Sequence, residues 1–285
     1  MDKTTTILNN LMIEVQKNKD IIYISTVITE FQQAMSNPEV PIDKIAGIIE
    51  KDPGLTSAVL KTANSSFYGL AKKVATVKQA ISVLGYRTLE KIFLTQTLSN
   101  SLKTQDSEIS SNLWQHSLAT AIASQIIVSI KSPALSEQAF VAGLLHDIGK
   151  FILFNFKTNE TNFLIKKLEN NPFQYSIPLE MTIYGVNHQE VGAFFAQQWQ
   201  FPEVVFDSIK YHHNVDFASR NKEVIASVLI ANNFIKALEL GKSSSGCIEL
   251  IPHWLWGFLG IKQKMIQNIL IQTKDKFTAL TAFME

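Results

Sequence analysis

Apolar residues recur at spacings of three and four along almost the whole chain, while residues that break helices are scarce. Only 12 glycines and 8 prolines occur in 285 residues, below the usual ~7% and ~5%. Ile42, Ile45, Ile48 and Ile49 show the spacing, and no strand-like alternation competes with it. A chain built this way makes long helices joined by few turns. The expected fold class is therefore all-α, and the length suffices for one large domain or two small ones.

Local signals place the helices. Asp52-Pro53 reads as an N-cap followed by proline at the first helical position. Leu55, Val59, Leu60 and Ala63 form the stripe of the helix that follows, which ends at Asn64-Ser65-Ser66 and Gly69. Thr76 with Gln79 is a capping box, and Gly85 is a glycine just past a helix end. A further helix is expected over about 88–102, then a polar linker at 103–111, then a helix over 113–130. Ser136 opens the next, and Asn187 with Glu190 is a second capping box. That helix closes at Trp199, and one opened by Pro202 runs to Tyr211-His212-His213. Residues 214–222 read as a loop, 224–240 as helix and 242–246 as a flexible connection before a last helical pair. Three segments are expected: an N-terminal helical bundle, 1–105, packed on a helical core, 112–240, with a helical tail, 241–285. Phe67 and Tyr68 are placed at the interface between the first two.

The net charge of +1 argues against nucleic acid or an anionic membrane as partner, since both need clustered excess cations. A lone thiol, Cys247, makes neither an internal disulfide nor a thiolate metal site. The start carries no basic segment leading into an apolar run, and stretches such as Phe140–Leu145 fall short of the ~18–20 residues a bilayer needs. A cytoplasmic protein is expected.

Histidine placement carries the chemistry. His116, His146, His188, His212 and His213 fall at helix ends or on helix faces, and His146-Asp147 ends an apolar helix. Burying that carboxylate costs several kcal/mol unless a cation or good hydrogen bonds compensate, and a divalent metal does so directly. A single histidine on an apolar face is more often a core residue bonded to a carbonyl. Neighbours such as His212 and His213 diverge by about 100° on a helix, so they share a point only where the helix ends.

Four segments taken in order resemble a known superfamily: Trp114-Gln115-His116-Ser117, Gly143-Leu144-Leu145-His146-Asp147-Ile148-Gly149-Lys150, Asn187-His188-Gln189-Glu190-Val191-Gly192-Ala193 and Tyr211-His212-His213. They are similar to the HD superfamily of metal-dependent phosphohydrolases. The segments 52–66 and 80–85, with Trp199-Gln200-Phe201-Pro202, narrow the resemblance to HDOD domains, HD-related output domains of bacterial signalling, over about residues 20–215. The resemblance implies an HD-like core in which His116, His146 and Asp147 are metal ligands, with Asp147 able to bridge two ions. His188, His212 and His213 would complete a second metal site, and Lys150 would lie near a substrate phosphate. The superfamily's last ligand, an aspartate after an alanine, is here Asn232 after Ala231, a poorer ligand for a hard cation. No Gly-Tyr-Pro signature follows residue 213.

The implied cofactor is a divalent metal: Fe, Mn, Ni, Zn or Mg. The implied function is a signal-transduction module acting by interaction with a signalling or regulatory protein. The alternative is a metal-dependent phosphohydrolase of a nucleotide or cyclic dinucleotide, with Asp147 and Lys150 in catalytic roles. A third reading keeps the metal or a nucleotide ligand as a conformational signal without chemistry. Trp254 and Trp256 either anchor a partner or, more simply, pack the tail.

Overall fold

A computed structural model describes residues 3–17, 40–65, 73–101, 106–171, 173–214 and 220–281. Among these residues every regular element is helical. The expected interface residues Phe67 and Tyr68 lie outside them.

The chain divides into two compact units. The first, Lys19–Ser101 with Thr278–Glu285, contains α2 (Ile42–Ile49), α3 (Pro53–Ala63) and α4 (Val77–Ser101). Asp52 caps α3 as its position before Pro53 demands, its Oδ1 accepting from Leu55 N at 3.0 Å. Gly85 breaks the helical path inside α4 with φ 72° and ψ 160°, which glycine alone adopts without strain. Asn64 clamps the end of α3 to residue 74: its Nδ2 donates to Leu60 O and Val74 O, and its Oδ1 accepts from Val74 N. Ile45, Ile49, Leu55, Val59, Ala63, Ile81, Leu84 and Phe93 are the apolar core.

The second unit is Met1–Asn18 with Leu102–Phe277. Its helices are α1 (Lys3–Val15), α5 (Ser107–Ser129), α6 (Ser136–Leu145), α7 (Ile148–Phe156), α8 (Thr158–Asn170), α9 (Ser176–Tyr184), α10 (His188–Gln198), α11 (Glu203–Tyr211), α12 (Lys222–Leu238), α13 (His253–Phe258) and α14 (Gln263–Thr281). The division departs from the expected segments at both ends. Helix α1 packs on α7 and α10, burying Leu11 and Val15, so it belongs with the later part of the chain. The stretch expected as a tail groups with the core through Phe277. The expected linker is also shorter: Asp106 caps α5 through Glu108 N and Ile109 N, so 107–111 is helix.

Helix α5 is buried on nearly every face from Leu113 to Val128, the signature of a central helix rather than an amphipathic one. It packs on α6 and α12. The contact with α6 is close because both faces are small: a Cβ on Gly143 would lie 2.8 Å from Ala121 Cα and 2.8 Å from Ser124 Oγ. Among the described residues one apolar stretch, Pro133–Phe156, is long enough to cross a membrane by composition, yet 89% of its most apolar 18-residue window is buried inside the protein. Helices α8 and α9 are tied by Thr161 Oγ1 and Tyr184 OH at 2.8 Å. Trp256 packs on Phe234 of α12 with ring centroids 6.1 Å apart, and Trp254 stands on Phe258 of its own helix.

Candidate metal centre

Helix ends bring the histidines together. His116 comes from the middle of α5, His146 caps the end of α6, Asp147 precedes α7, and His188 opens α10. Asn187 and Glu190 form the capping box that fixes that last start. Helix α11 stops at Tyr211, so His212 is its C-cap and His213 lies beyond it. That stop removes the 100° divergence of adjacent helical residues and lets both rings face one point, their centroids 4.2 Å apart. Two glycines make the approach of α7 to α10 feasible. A Cβ on Gly149 would sit 1.9 Å from His188 O, and one on Gly192 would sit 3.2 Å from Gly149 N.

Asp147 stands at the centre. His116, His146, Asp147, His188 and His212 have 0% exposure. Two ligand groups share the aspartate: Asp147 with His188, His212 and His213, and Asp147 with His116 and His146. On the first side, Asp147 Oδ1 lies 3.5 Å from both His188 Nε2 and His212 Nε2. His188 Nε2 is 3.3 Å from His212 Nε2 and 3.2 Å from His213 Nε2. On the second side, Asp147 Oδ2 is 3.3 Å from His146 Nε2 and 3.8 Å from His116 Nε2. Lys150 Nζ donates to the same Oδ2 at 2.7 Å and to Ser243 O at 3.1 Å.

The partners of the other ring nitrogens fix the tautomers. His146 Nδ1 faces Gly143 O at 2.7 Å, and His212 Nδ1 faces Ile209 O at 2.9 Å. Carbonyl oxygens only accept, so both Nδ1 atoms carry the proton. His188 Nδ1 donates to Glu180 Oε2 at 2.7 Å, and His213 Nδ1 donates to Glu249 Oε2 at 2.8 Å. In the neutral form each of these four rings therefore presents its Nε2 lone pair to the cluster, with no donor among them. That is the arrangement imidazole takes around a metal, with the outer hydrogen bond setting the ring.

The residues fit a divalent cation. Asp147 Oδ1, His146 Nε2 and both nitrogens of His116 are buried without hydrogen-bond partners. Bonds of ~2.0–2.1 Å in a tetrahedral site imply ligand–ligand edges of about 3.3–3.4 Å; the separations of His188 from His212, His213 and Asp147 Oδ1, and of His212 from Asp147 Oδ1, are 3.2–3.5 Å, and all four ligand atoms lie within 4.8 Å of one another. The second side fits less well, because an ammonium already neutralises Asp147 Oδ2. Asn232 is 1% exposed on α12 and its Oδ1 has no partner, whereas the neighbouring Asn233 Oδ1 accepts from Glu249 N at 2.7 Å.

Electrostatics keep the cluster ready. Burial works to raise the Asp147 carboxyl, but His146 beside it and the Lys150 ammonium hold it well below the ordinary carboxylate range. Burial pushes His116 and His213 well below the usual histidine value, and His212 down to about 3. These rings are neutral in the folded metal-free protein and titrate near pH ~6.5 when unfolded. The unfolded chain thus binds more protons below that pH. Stability is complete above it and falls as pH drops, by up to about 1.4 kcal/mol per pH unit per histidine. Urea unfolding of chelator-treated protein is therefore expected to show a loss of several kcal/mol between pH 7 and pH 5, and a flat profile contradicts the buried neutral rings.

Two carboxylates escaped the reading of the sequence. Glu180, 0% exposed on α9, accepts from both the ring and the backbone N of His188. Glu249 accepts from His213 and from Lys236 Nζ at 3.2 Å. The segment 242–246, expected as a flexible connection, packs over the cluster with Ser243 and Ser245 buried.

Comparison with known proteins bears on the family and the fold. The HDOD domain family model matches residues 21–215. Over 259 residues the chain is 29% identical to an uncharacterized protein of Treponema pallidum (strain Nichols), covering 89% of this chain and 49% of that protein. The chain thus spans about half the length of the curated relative it matches. An HDOD domain protein of Geobacter sulfurreducens superposes with a TM-score of 0.74 at 23% identity, over 90% of each chain. A protein of Marinobacter aquaeolei VT8, provisionally described as a signal transduction protein, gives 0.78 at 20% identity over 99% of this chain and 65% of that one. One of Shewanella amazonensis SB2B, provisionally described as a phosphohydrolase, gives 0.63 at 19% identity over 87% and 92%. At these identities the likenesses establish the fold.

Proposed function

The chain belongs to the HDOD domain family, and from that premise we propose that it is a bacterial signal-transduction module built around one buried divalent cation, acting by protein interaction. The observation that carries the metal is the grouping of His188, His212 and His213 with Asp147, whose ligand atoms lie within 4.8 Å of one another, with outer hydrogen bonds pinning each ring. The cation would be held by those four residues and would supply the positive charge that the lone pairs and carboxylate call for. Imidazole-rich sites of this kind suit Zn, Fe or Ni before Mg. His116, His146 and Asn232 are the remnant of a second site, in which Lys150 provides the charge instead.

Burial supports regulation over hydrolysis. Lys150 is 1% exposed and committed to Asp147 and the Ser243 carbonyl, so it offers no free ammonium to a phosphate. A cytoplasmic setting fits a chain with one thiol and a buried apolar stretch, and the partner would be a signalling or regulatory protein. Turnover of a nucleotide and cyclic-dinucleotide panel with Mn, Fe, Ni or Mg is expected to be equal for wild type, His146→Ala and Asp147→Ala. Turnover lost in both variants would instead favour the hydrolase reading, which rests on Asp147 touching both ligand groups.

The mononuclear assignment makes its own prediction. Asn232→Asp restores a carboxylate to the remnant site and is expected to raise metal content from one ion per chain toward two. A content unchanged by the substitution, measured by plasma mass spectrometry, rejects the role given to Asn232.

A further inference from the structure

Leu240–Pro252 contains neither helix nor strand, yet it is anchored at every second position. Gly241 has φ 74° and presses on α5: a Cβ there would lie 2.4 Å from both Asn112 O and His116 N. Ser243 is 2% exposed, its carbonyl accepts from Lys150 Nζ, and its Oγ has no partner. Ser244 takes φ 70°, the left-handed region that side chains disfavour. Ser245 Oγ donates to Gln174 O at 3.0 Å and accepts from Cys247 N at 3.2 Å. Glu249 then holds His213 and Lys236, while its backbone N donates to Asn233. On the side of residues 241–246 lies a cleft of about 510 Å³, lined also by Asn112, Gln115, Leu168, Glu169 and Lys236.

We propose that this strap is a displaceable cover that gates the histidine cluster. The inference rests on the metal reading above and deepens it. A cluster in which Asp147, His188 and His212 have 0% exposure exchanges its ion slowly unless something opens, and the strap is the element best suited to do so. Its hold is a few hydrogen bonds and the pairing of Glu249 with Lys236 and His213 rather than a packed apolar face, and elements without such a face open at lower free energy. Its backbone also carries strain at Ser244, and the adjoining cleft leaves room for displacement. In the closed form a neutral carbonyl, Ser243 O, occupies the Lys150 ammonium. An oxyanion taking that place makes a charge-assisted bond, which is the stronger kind. Such an anion therefore prefers the open form and shifts the population toward it.

The test uses the full chain loaded with Co²⁺, its release to excess chelator followed by absorbance. Ser245→Ala removes a strap anchor that touches no metal ligand. It is expected to speed release at least tenfold while cobalt content stays at the wild-type level. In parallel, metal-free protein is treated with diethyl pyrocarbonate, and acylation of His212 and His213 is followed by mass spectrometry. Ser245→Ala is expected to react at least fivefold faster than wild type. Failure of wild type to take up cobalt defeats the metal reading but leaves the acylation arm to decide the cover. Acylation rates equal in the two proteins overturn the gate, as do equal release rates in proteins that hold cobalt.

Discussion

Replacement of Asp147 by asparagine is expected to abolish metal uptake and to destabilise the protein. Asp147 belongs to both ligand groups, so its charge serves either site. Loss of a partner that merely orients a ligand typically costs 10–100-fold in affinity, and loss of the shared carboxylate is expected to exceed that. The stability effect has a separate cause. Lys150 is buried and its ammonium bonds Asp147 Oδ2 at 2.7 Å. The Asp147→Asn substitution leaves that charge with a carbonyl and an amide, and breaking a buried pair costs about 3–5 kcal/mol. Isothermal titration with Zn²⁺ and denaturant unfolding of the chelated protein separate the two effects. Adding Lys150→Met to Asp147→Asn is expected to restore much of the stability but none of the metal binding, because it removes the stranded charge without rebuilding the site.

Gly149→Ala carries the second large effect. The added methyl would lie 1.9 Å from His188 O and 2.8 Å from Gly192 N. Both are backbone atoms of α10, so the clash is relieved only by moving α7 and α10 apart. Overpacking of this kind is expected to cost about 3 kcal/mol or more, and it also separates Asp147 from His188. Gly47 is the internal control. It lies inside α2 with nothing within 4 Å of its added Cβ, so Gly47→Ala is expected to stabilise by about 0.5–1 kcal/mol. Midpoints of urea unfolding check both signs, and a neutral Gly149→Ala refutes the close approach.

These glycines mark where local sequence and tertiary structure part company. The helix ends were legible because caps are local: Asp52, Gly85 and Asn187 each act on backbone groups within a few residues. The histidines were legible because imidazole is rare on apolar faces, and the end of α11 before His212 is what a doublet sharing one point requires. Glu180 and Glu249 were not legible. A carboxylate in a polar stretch reads as a solvated side chain until the fold shows it 8 residues before His188 or 36 residues after His213. The segment 242–246 misled for a related reason. A run of serines has the composition of a flexible linker, and only the carbonyl and hydroxyl partners supplied by Lys150 and Gln174 reveal it as packed. Helix α1 likewise shows no local sign of the distant helices it covers.

Metal content of the full chain tests the central claim most directly. Purified protein, stripped and reloaded with a mixture of Zn²⁺, Fe²⁺, Mn²⁺ and Ni²⁺, is dialysed and analysed by plasma mass spectrometry. One divalent ion per chain is predicted for the wild type, falling to background in His188→Ala and Asp147→Asn while His116→Ala keeps it. Wild type without bound metal, or His188→Ala retaining a full ion, contradicts the account.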